Sequence, residues 1–510
     1  MKKYIVPIVL VAMLSVFVSA CTGKLDLAPV SSISDANYWK TSDQFDAFVS
    51  GIHTEFRSAT YSLELLGEVR ADVFGTDPGS SSAFTGEATQ GLEHLWLNTL
   101  DGNNPGVSNF GNFYYNINQI DLLISKLSAT DIVSQTDKGY YLGIAYGMRA
   151  YYYFRLLEAW GPVIIHTEPT TSIDVSALSK AASSTDSVMA LIKSDLAASE
   201  QSFGTDYSFR QKKGYWSKAA TEMLKAYVYL WTSHRGGGTA DATVALNALN
   251  DIQTNVPSLK LLPNYADVFS SANKGNDEII FAIRNQLNES SLPFSGTFLP
   301  QTGLIVSYYD SADNRQFNVT DDNWGGLLRA PVTIATFRRF NDRDSRKWAT
   351  ITAAYNKTGT GYQIAGCFVS KYQGEQSAGN RVYTNDFPIF RYADLLLLKA
   401  EAKVILGQDP SAEINQVRQR AYGTAYHAAT DAFGRQPGDD DATEAVLRER
   451  YFEFLFEGKR WDDLRRMGDQ YVFEHTTVTS QQAYMLLWPI DRNTLTNNPA
   501  LTQNPGYPTF

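Results

Sequence analysis

Cysteine is almost missing from this chain. Its 510 residues carry two, Cys21 and Cys367, which excludes a disulfide framework and a thiolate-rich metal site. Histidine is scarce as well. His53, His94, His166, His234, His427 and His475 include no pair at i, i+4 and no H-E-x-x-H, so the metalloprotease pattern is absent. There is no G-x-S-x-G elbow, no G-x-x-x-x-G-K phosphate loop and no dinucleotide-binding fingerprint, which removes the common hydrolase, nucleotidase and dehydrogenase signatures. Positive charge is in the minority, 44 Lys and Arg against 54 Asp and Glu for a net charge of −10. That balance is a poor match to a nucleic-acid backbone. After the first 20 residues no apolar run is long enough to cross a bilayer. What the chain has in quantity is apolar and aromatic material. Hydrophobic residues make up 44%, and 9 Trp, 29 Tyr and 27 Phe are enough to fill a core and leave some rings for a ligand.

The N-terminus reads as a lipoprotein leader. Lys2 and Lys3 precede an apolar run from Ile5 to Val18, and Val18-Ser19-Ala20 lead to Cys21. Small residues directly before a cysteine at the end of such a run resemble a bacterial lipobox. Residues 1–20 are then a signal peptide, and acylated Cys21 is the lipid anchor that holds the mature chain on a membrane. Cys367 is expected to be a small buried apolar residue.

The body reads as mainly α. Residues 139–158, 217–232 and 392–406 carry apolar side chains at helical spacing, with small alanines such as Ala150, Ala226 and Ala400 where helices would approach closely. These alanines follow no fixed period, which fits helix pairs separated by insertions. Trp160-Gly161-Pro162 stops the first of the three. Ser42 or Asp43 is the expected N-cap of an earlier helix. Residues 72–112 and 285–385 are rich in Gly, Ser, Asn, Asp and Thr and are expected to form long structured loops with short strands. Asp277 to Ile283 is the best strand candidate.

Two acidic clusters, Asp321-Asp322-Asn323 and Asp439-Asp440-Asp441, miss the EF-hand spacing. No cofactor is expected, a structural calcium ion being the weaker reading of these clusters, and Asp441 suits a helix cap. Glu449, Glu453 and Glu457 stand at i, i+4, i+8. Like charges in such a row repel, so they are expected to pair with Arg450, Arg460 or Arg465 and not to form a glycosidase carboxylate pair.

Several segments together resemble one family. They are the lipobox followed by Leu25-Asp26 and Pro29, Arg149-Ala150 with Trp160-Gly161-Pro162, Asn264 to Phe269 with Glu278 to Ala282, and Phe390-Arg391-Tyr392-Ala393-Asp394. Near the end come Arg448-Glu449-Arg450, Glu457 to Arg465, Trp488-Pro489-Ile490 and Asn504-Pro505-Gly506-Tyr507. From Cys21 to Tyr507 the chain resembles the SusD/RagB family of outer-membrane nutrient-binding lipoproteins. It departs from the pattern at Ile120-Asp121, where the family often has Ala-Asn.

The resemblance implies a tetratricopeptide-like helix-pair scaffold with a loop-rich ligand-binding half, in one domain over 21–510. Its parts are an N-terminal part to about 280, an insertion over about 285–385 and a C-terminal helical part from about 386. It also implies a noncatalytic, cell-surface protein that captures oligosaccharides for a SusC-like TonB-dependent transporter. Peptide capture in the RagB manner, or a surface glycosidase, are the alternatives. A sugar ring presents a C–H face and a hydroxyl rim, which flat aromatics and polar side chains match. Trp324, set between Asp321-Asp322-Asn323 and Gly325-Gly326, is the first aromatic candidate. Trp96, with Asn103 and Asn104 nearby, is the second. Tyr308 and Tyr309 are the third, and a strand would turn only one of them to the ligand. Arg70, Asp72 and Asp77 are expected to serve the hydroxyl rim.

Overall fold

The computed structural model describes residues 38–76, 91–107, 110–170, 179–310 and 313–509. Cys21, the leader before it and Asp77 lie outside the described residues. The fold is mainly α. Its scaffold is α1 (Ser42–Val69), α2 (Phe110–Ser128), α3 (Gln135–Trp160), α4 (Thr185–Phe203), α5 (Lys218–Thr232) and α6 (Gly238–Asn255). It continues through α7 (Tyr392–Ile405), α8 (Ser411–Tyr422), α9 (Ala442–Phe454) and α10 (Arg460–Met467). Each of α1 to α6 packs on a sequence neighbour, α3 on α4 most extensively, and α6 packs on α7 across the whole of residues 256–391. The insertion is therefore spliced into a continuous helix stack, which is why the core alanines keep no period.

Local chemistry sets the ends. Thr41, one residue before the expected cap, starts α1 because Gln44 completes a reciprocal capping box with it. Asp441 caps α9, accepting from the amides of Thr443 and Glu444. Gly161, at φ 74°, closes α3 and donates its amide to the Leu157 carbonyl at 2.9 Å. Inside α3, Arg149 reaches both neighbouring helices, donating to Asp121 of α2 at 2.7 Å and to Asp195 of α4 at 2.8 and 2.7 Å. The departure at Asp121 is thus part of the scaffold.

The strands lie in the insertion and at its two borders. β1 (Ile279–Ile283), as expected, is wholly buried and pairs antiparallel with β8 (Phe387–Arg391), which runs straight into α7. Between them, β2 (Tyr309–Asp310), β3 (Arg315–Gln316), β4 (Ile351–Thr358) and β5 (Gly361–Val369) form an antiparallel sheet in the order β3-β2-β4-β5. β6 (Glu375–Ser377) and β7 (Asn380–Val382) make a small hairpin. Cys367 on β5 is fully buried.

The glutamate row of α9 is buried, and it is neutralised by partners other than those expected. Glu449 accepts from Arg346 at 2.7 Å and Arg418 at 2.8 Å. Glu453 accepts from Arg391 at 2.6 Å, Arg346 at 3.1 Å and Arg420. Just past the helix, Glu457 takes Arg391 and Lys371. Arg450 goes to Asp394 and Asp463, Arg460 goes to Asp72, and Arg465 goes to the Glu158 carbonyl. Charges this deep persist only when fully paired, so the Arg-rich C-terminal block is a structural keystone. The C-terminal segment then wraps the scaffold. Trp488 donates its amide to Ala159 at 2.7 Å, and Asn504 donates to the Trp488 carbonyl at 2.9 Å.

Candidate ligand-binding site

Most of the expected site residues belong to the scaffold. Trp324 is 6% exposed, so its expected exposure is not met. Its ring stands edge-on to Phe368, with the Arg381 guanidinium 4.7 Å from its centroid. Arg381 also holds the flanking loop, donating to the carbonyls of Asn323 at 3.0 Å and Asp321 at 2.8 Å. The adjacent glycine serves close packing: a Cβ on Gly326 would fall 2.0 Å from the Leu299 carbonyl oxygen. Trp96 is likewise buried, and its carbonyl accepts from Thr477 at 3.1 Å. Arg70 is fully buried between Trp461 and Trp488, 4.0 and 4.6 Å from their centroids, and donates to Asn98 at 3.0 Å. Asp72 pairs with Arg460 and Arg339, each at 2.9 Å. Burial pushes its carboxyl up, but the two guanidiniums outweigh this and hold it at about 2. Asn103 and Asn104 are exposed on a turn, where their amides donate to Asp101 at 2.7 and 2.9 Å.

The tyrosine pair behaves differently. Tyr308 packs against the core. Tyr309, on β2, lies directly opposite Tyr355 of β4 in the sheet register, and its ring is 5.8 Å from Tyr362 of β5. Tyr355 and Tyr362 are 6.4 Å apart, edge to face. Lys357, opposite Tyr362 in the β4–β5 ladder, places its ammonium 5.4 Å from the Tyr309 centroid. The Tyr362 hydroxyl donates to Asn314. All three rings are half-buried. The result is a cluster of three tyrosine rings on one sheet, tilted or edge-on to one another and fringed by an ammonium and an amide. Tyr355, Lys357 and Tyr362 were not foreseen. The signal was there: Tyr355-x-Lys357 and Tyr362-x-Ile364 alternate around Thr358-Gly359-Thr360-Gly361, a hairpin pattern.

The insertion also presents Trp348, 48% exposed, with its indole N–H donating to the Asp342 carbonyl at 3.0 Å. His53 stacks on Tyr215 at 4.2 Å and bonds the Val49 carbonyl and the Trp216 amide. Burial pulls its pKa down to about 4. The acidic clusters are engaged too, Asp322 with Arg315 and Asp439 with Arg418. Among the described residues, Glu444, Glu474 and His475 bring metal-ligand atoms within 4.8 Å of one another, at the surface.

Comparison with known proteins identifies the scaffold. A model of the SusD family matches residues 336–507, and a second, described as starch-binding associating with outer membrane, matches residues 69–230. The solved structure of B. fragilis NanU is 45% identical and superposes with a TM-score of 0.88, over 95% of this chain and 100% of that one. The chain belongs to the SusD/RagB family. A SusD superfamily protein from Bacteroides vulgatus is 40% identical at a TM-score of 0.84, over 92% of this chain and all of its own. The starch-binding protein SusD of Bacteroides thetaiotaomicron is 30% identical over 156 residues, 28% of this chain and 26% of its own. SusD/RagB relatives are binding proteins, and one of the two family models describes association with the outer membrane. Among the described residues no helix is long and apolar enough to cross a membrane.

Proposed function

We propose that the protein is a noncatalytic, surface-facing outer-membrane lipoprotein, anchored through Cys21, that captures oligosaccharides and passes them to a SusC-like TonB-dependent transporter. The observation that carries the binding reading is the cluster of Tyr309, Tyr355 and Tyr362 on one sheet. Stacking needs the face of an aromatic ring on a fixed support, and rings carried by a hairpin within a four-stranded sheet suit that role. Lys357 and Asn314 offer hydrogen bonds to a hydroxyl rim. The starch-binding description of one family model and of the partial relative SusD supports a carbohydrate over a peptide. The test is a polysaccharide panel by affinity electrophoresis, followed by titration of the best ligand against Tyr309→Ala and Tyr362→Ala. Each variant should lose at least tenfold in affinity, about 1.4 kcal/mol, with its melting temperature nearly unchanged. Unaltered binding in both variants would remove the cluster from the site. Release of any glycan product would restore the enzyme reading.

A further inference from the structure

A second concavity lies away from the tyrosine sheet, between α1 and α2. It has a volume of about 270 Å³ and is walled by Tyr38, Phe48 and Tyr115, with Glu55, Asn116 and Gln119 as its polar groups. Ligand pockets run from about 300 to 1,000 Å³, so this one suits a single ring better than a chain.

Three observations mark it as more than a surface dent. The first is Tyr115, 55% exposed on α2 although it lines a groove with two other aromatics. The second is Asn116. It is 4% exposed, its amide donates to the Tyr152 hydroxyl at 3.1 Å, and its carbonyl oxygen has no hydrogen-bond partner. Leaving a buried acceptor unmade is costly; the oxygen is closed to solvent as it stands, and a turn of the side chain towards the groove would bring it to an incoming hydroxyl. The third is Gly51, in the interior of α1 and on the groove wall. A Cβ built there meets nothing within 4 Å. Glycine weakens a helix interior, and here the missing side chain keeps the groove open. Tyr38 is fixed as a wall, its hydroxyl donating to the Gln44 carbonyl at 2.9 Å.

We propose that this groove is a second carbohydrate subsite, taking one neutral pyranose ring against Tyr115 with a hydroxyl on Asn116. The aromatic walls match the ring's C–H face, and Gln119 and Glu55 meet its rim. The Glu55 carboxylate disfavours an anionic sugar. The inference rests on the glycan-binding reading above, and its test separates the two. Methyl glycosides of glucose, galactose, mannose and N-acetylglucosamine are titrated against the whole mature protein by saturation-transfer NMR. At least one should bind the wild type. Gly51→Leu, which fills the groove, and Tyr115→Ala should each weaken it tenfold or more. Gly51→Ala should melt at or above the wild-type temperature, which shows that α1 tolerates a side chain here. Ring binding untouched by both groove variants, or no ring binding by a protein that still binds longer glycans, overturns the subsite and leaves the tyrosine cluster standing. No binding of any glycan, long or short, overturns both.

Discussion

Glu453 offers the sharpest test of the buried charge network. Its carboxylate is fully buried and receives three guanidiniums, from Arg346, Arg391 and Arg420. Replacement by Gln keeps the shape and removes the charge, leaving those arginines short of a counter-ion. Breaking a buried pair from one side costs about 3–5 kcal/mol. A second route gives a similar figure. Burial alone would push this carboxyl up, but the three arginines hold it at about 2 against an ordinary 4.5, and such a gap corresponds to roughly 3 kcal/mol. Because the folded pKa is depressed, this stability is present above about pH 4.5 and lost as the pH falls towards 2. Urea unfolding of wild type and Glu453→Gln, followed by tryptophan fluorescence at pH 7 and pH 3, reads both effects. The midpoint gap should be large at pH 7 and shrink by about half or more at pH 3. A gap below about 1 kcal/mol at pH 7, the range of an exposed pair, would refute the keystone role. So would a gap that ignores pH.

Other outcomes follow from burial. Trp324→Ala should cost about 3–5 kcal/mol, seen as an early melt; a normal melt with tenfold weaker glycan binding would return this ring to the ligand site. Burial, with Glu200 and Asp251 nearby, pushes the Glu222 carboxyl up to about 8 from 4.5. That contribution is intact below about pH 4.5 and lost as the pH rises through 8. Glu222→Gln should therefore flatten the decline in melting temperature between pH 5 and 8, and an unchanged slope would contradict the shift. Cys21→Ala should leave the protein in the soluble fraction, where the wild type sediments with membranes; full sedimentation of the variant would exclude the lipid anchor.

The helices were legible because their periodicity is local. Residues 217–232 and 392–406 match α5 and α7 to within a residue or so, and Gly161 ends α3 where Trp160-Gly161-Pro162 placed the stop. The charge partners were not, because they are not local: Glu453 reads as a neighbour of Arg450, yet its arginines come from the insertion, from β8 and from α8. Trp324 shows the same limit on a smaller scale. Aspartates and glycines around a tryptophan spell an open loop, but Gly326 is there because a carbonyl presses on it and Arg381 draws the loop shut. Strand alternation allowed only one of Tyr308 and Tyr309 to face a ligand without choosing between them; the strand begins at Tyr309, and Tyr308 packs against the core. The companions Tyr355 and Tyr362 required pairing β2 with β4, a contact that no single window of sequence contains.

The pairs that lock the N-terminal helix to the C-terminal block also set a clock. Arg460 reaches Asp72 across 388 positions, and Glu68 accepts the Gly458 amide across 390. At a synthesis rate of about 5–20 residues per second, such partners appear roughly 20–80 s apart. Through most of that interval Asp72 can meet only Arg339, and Glu68 waits for the amides of Phe456 and Gly458. A chain that stops short of Phe456 therefore leaves Glu68 with neither of its amides and Asp72 with one guanidinium in place of two.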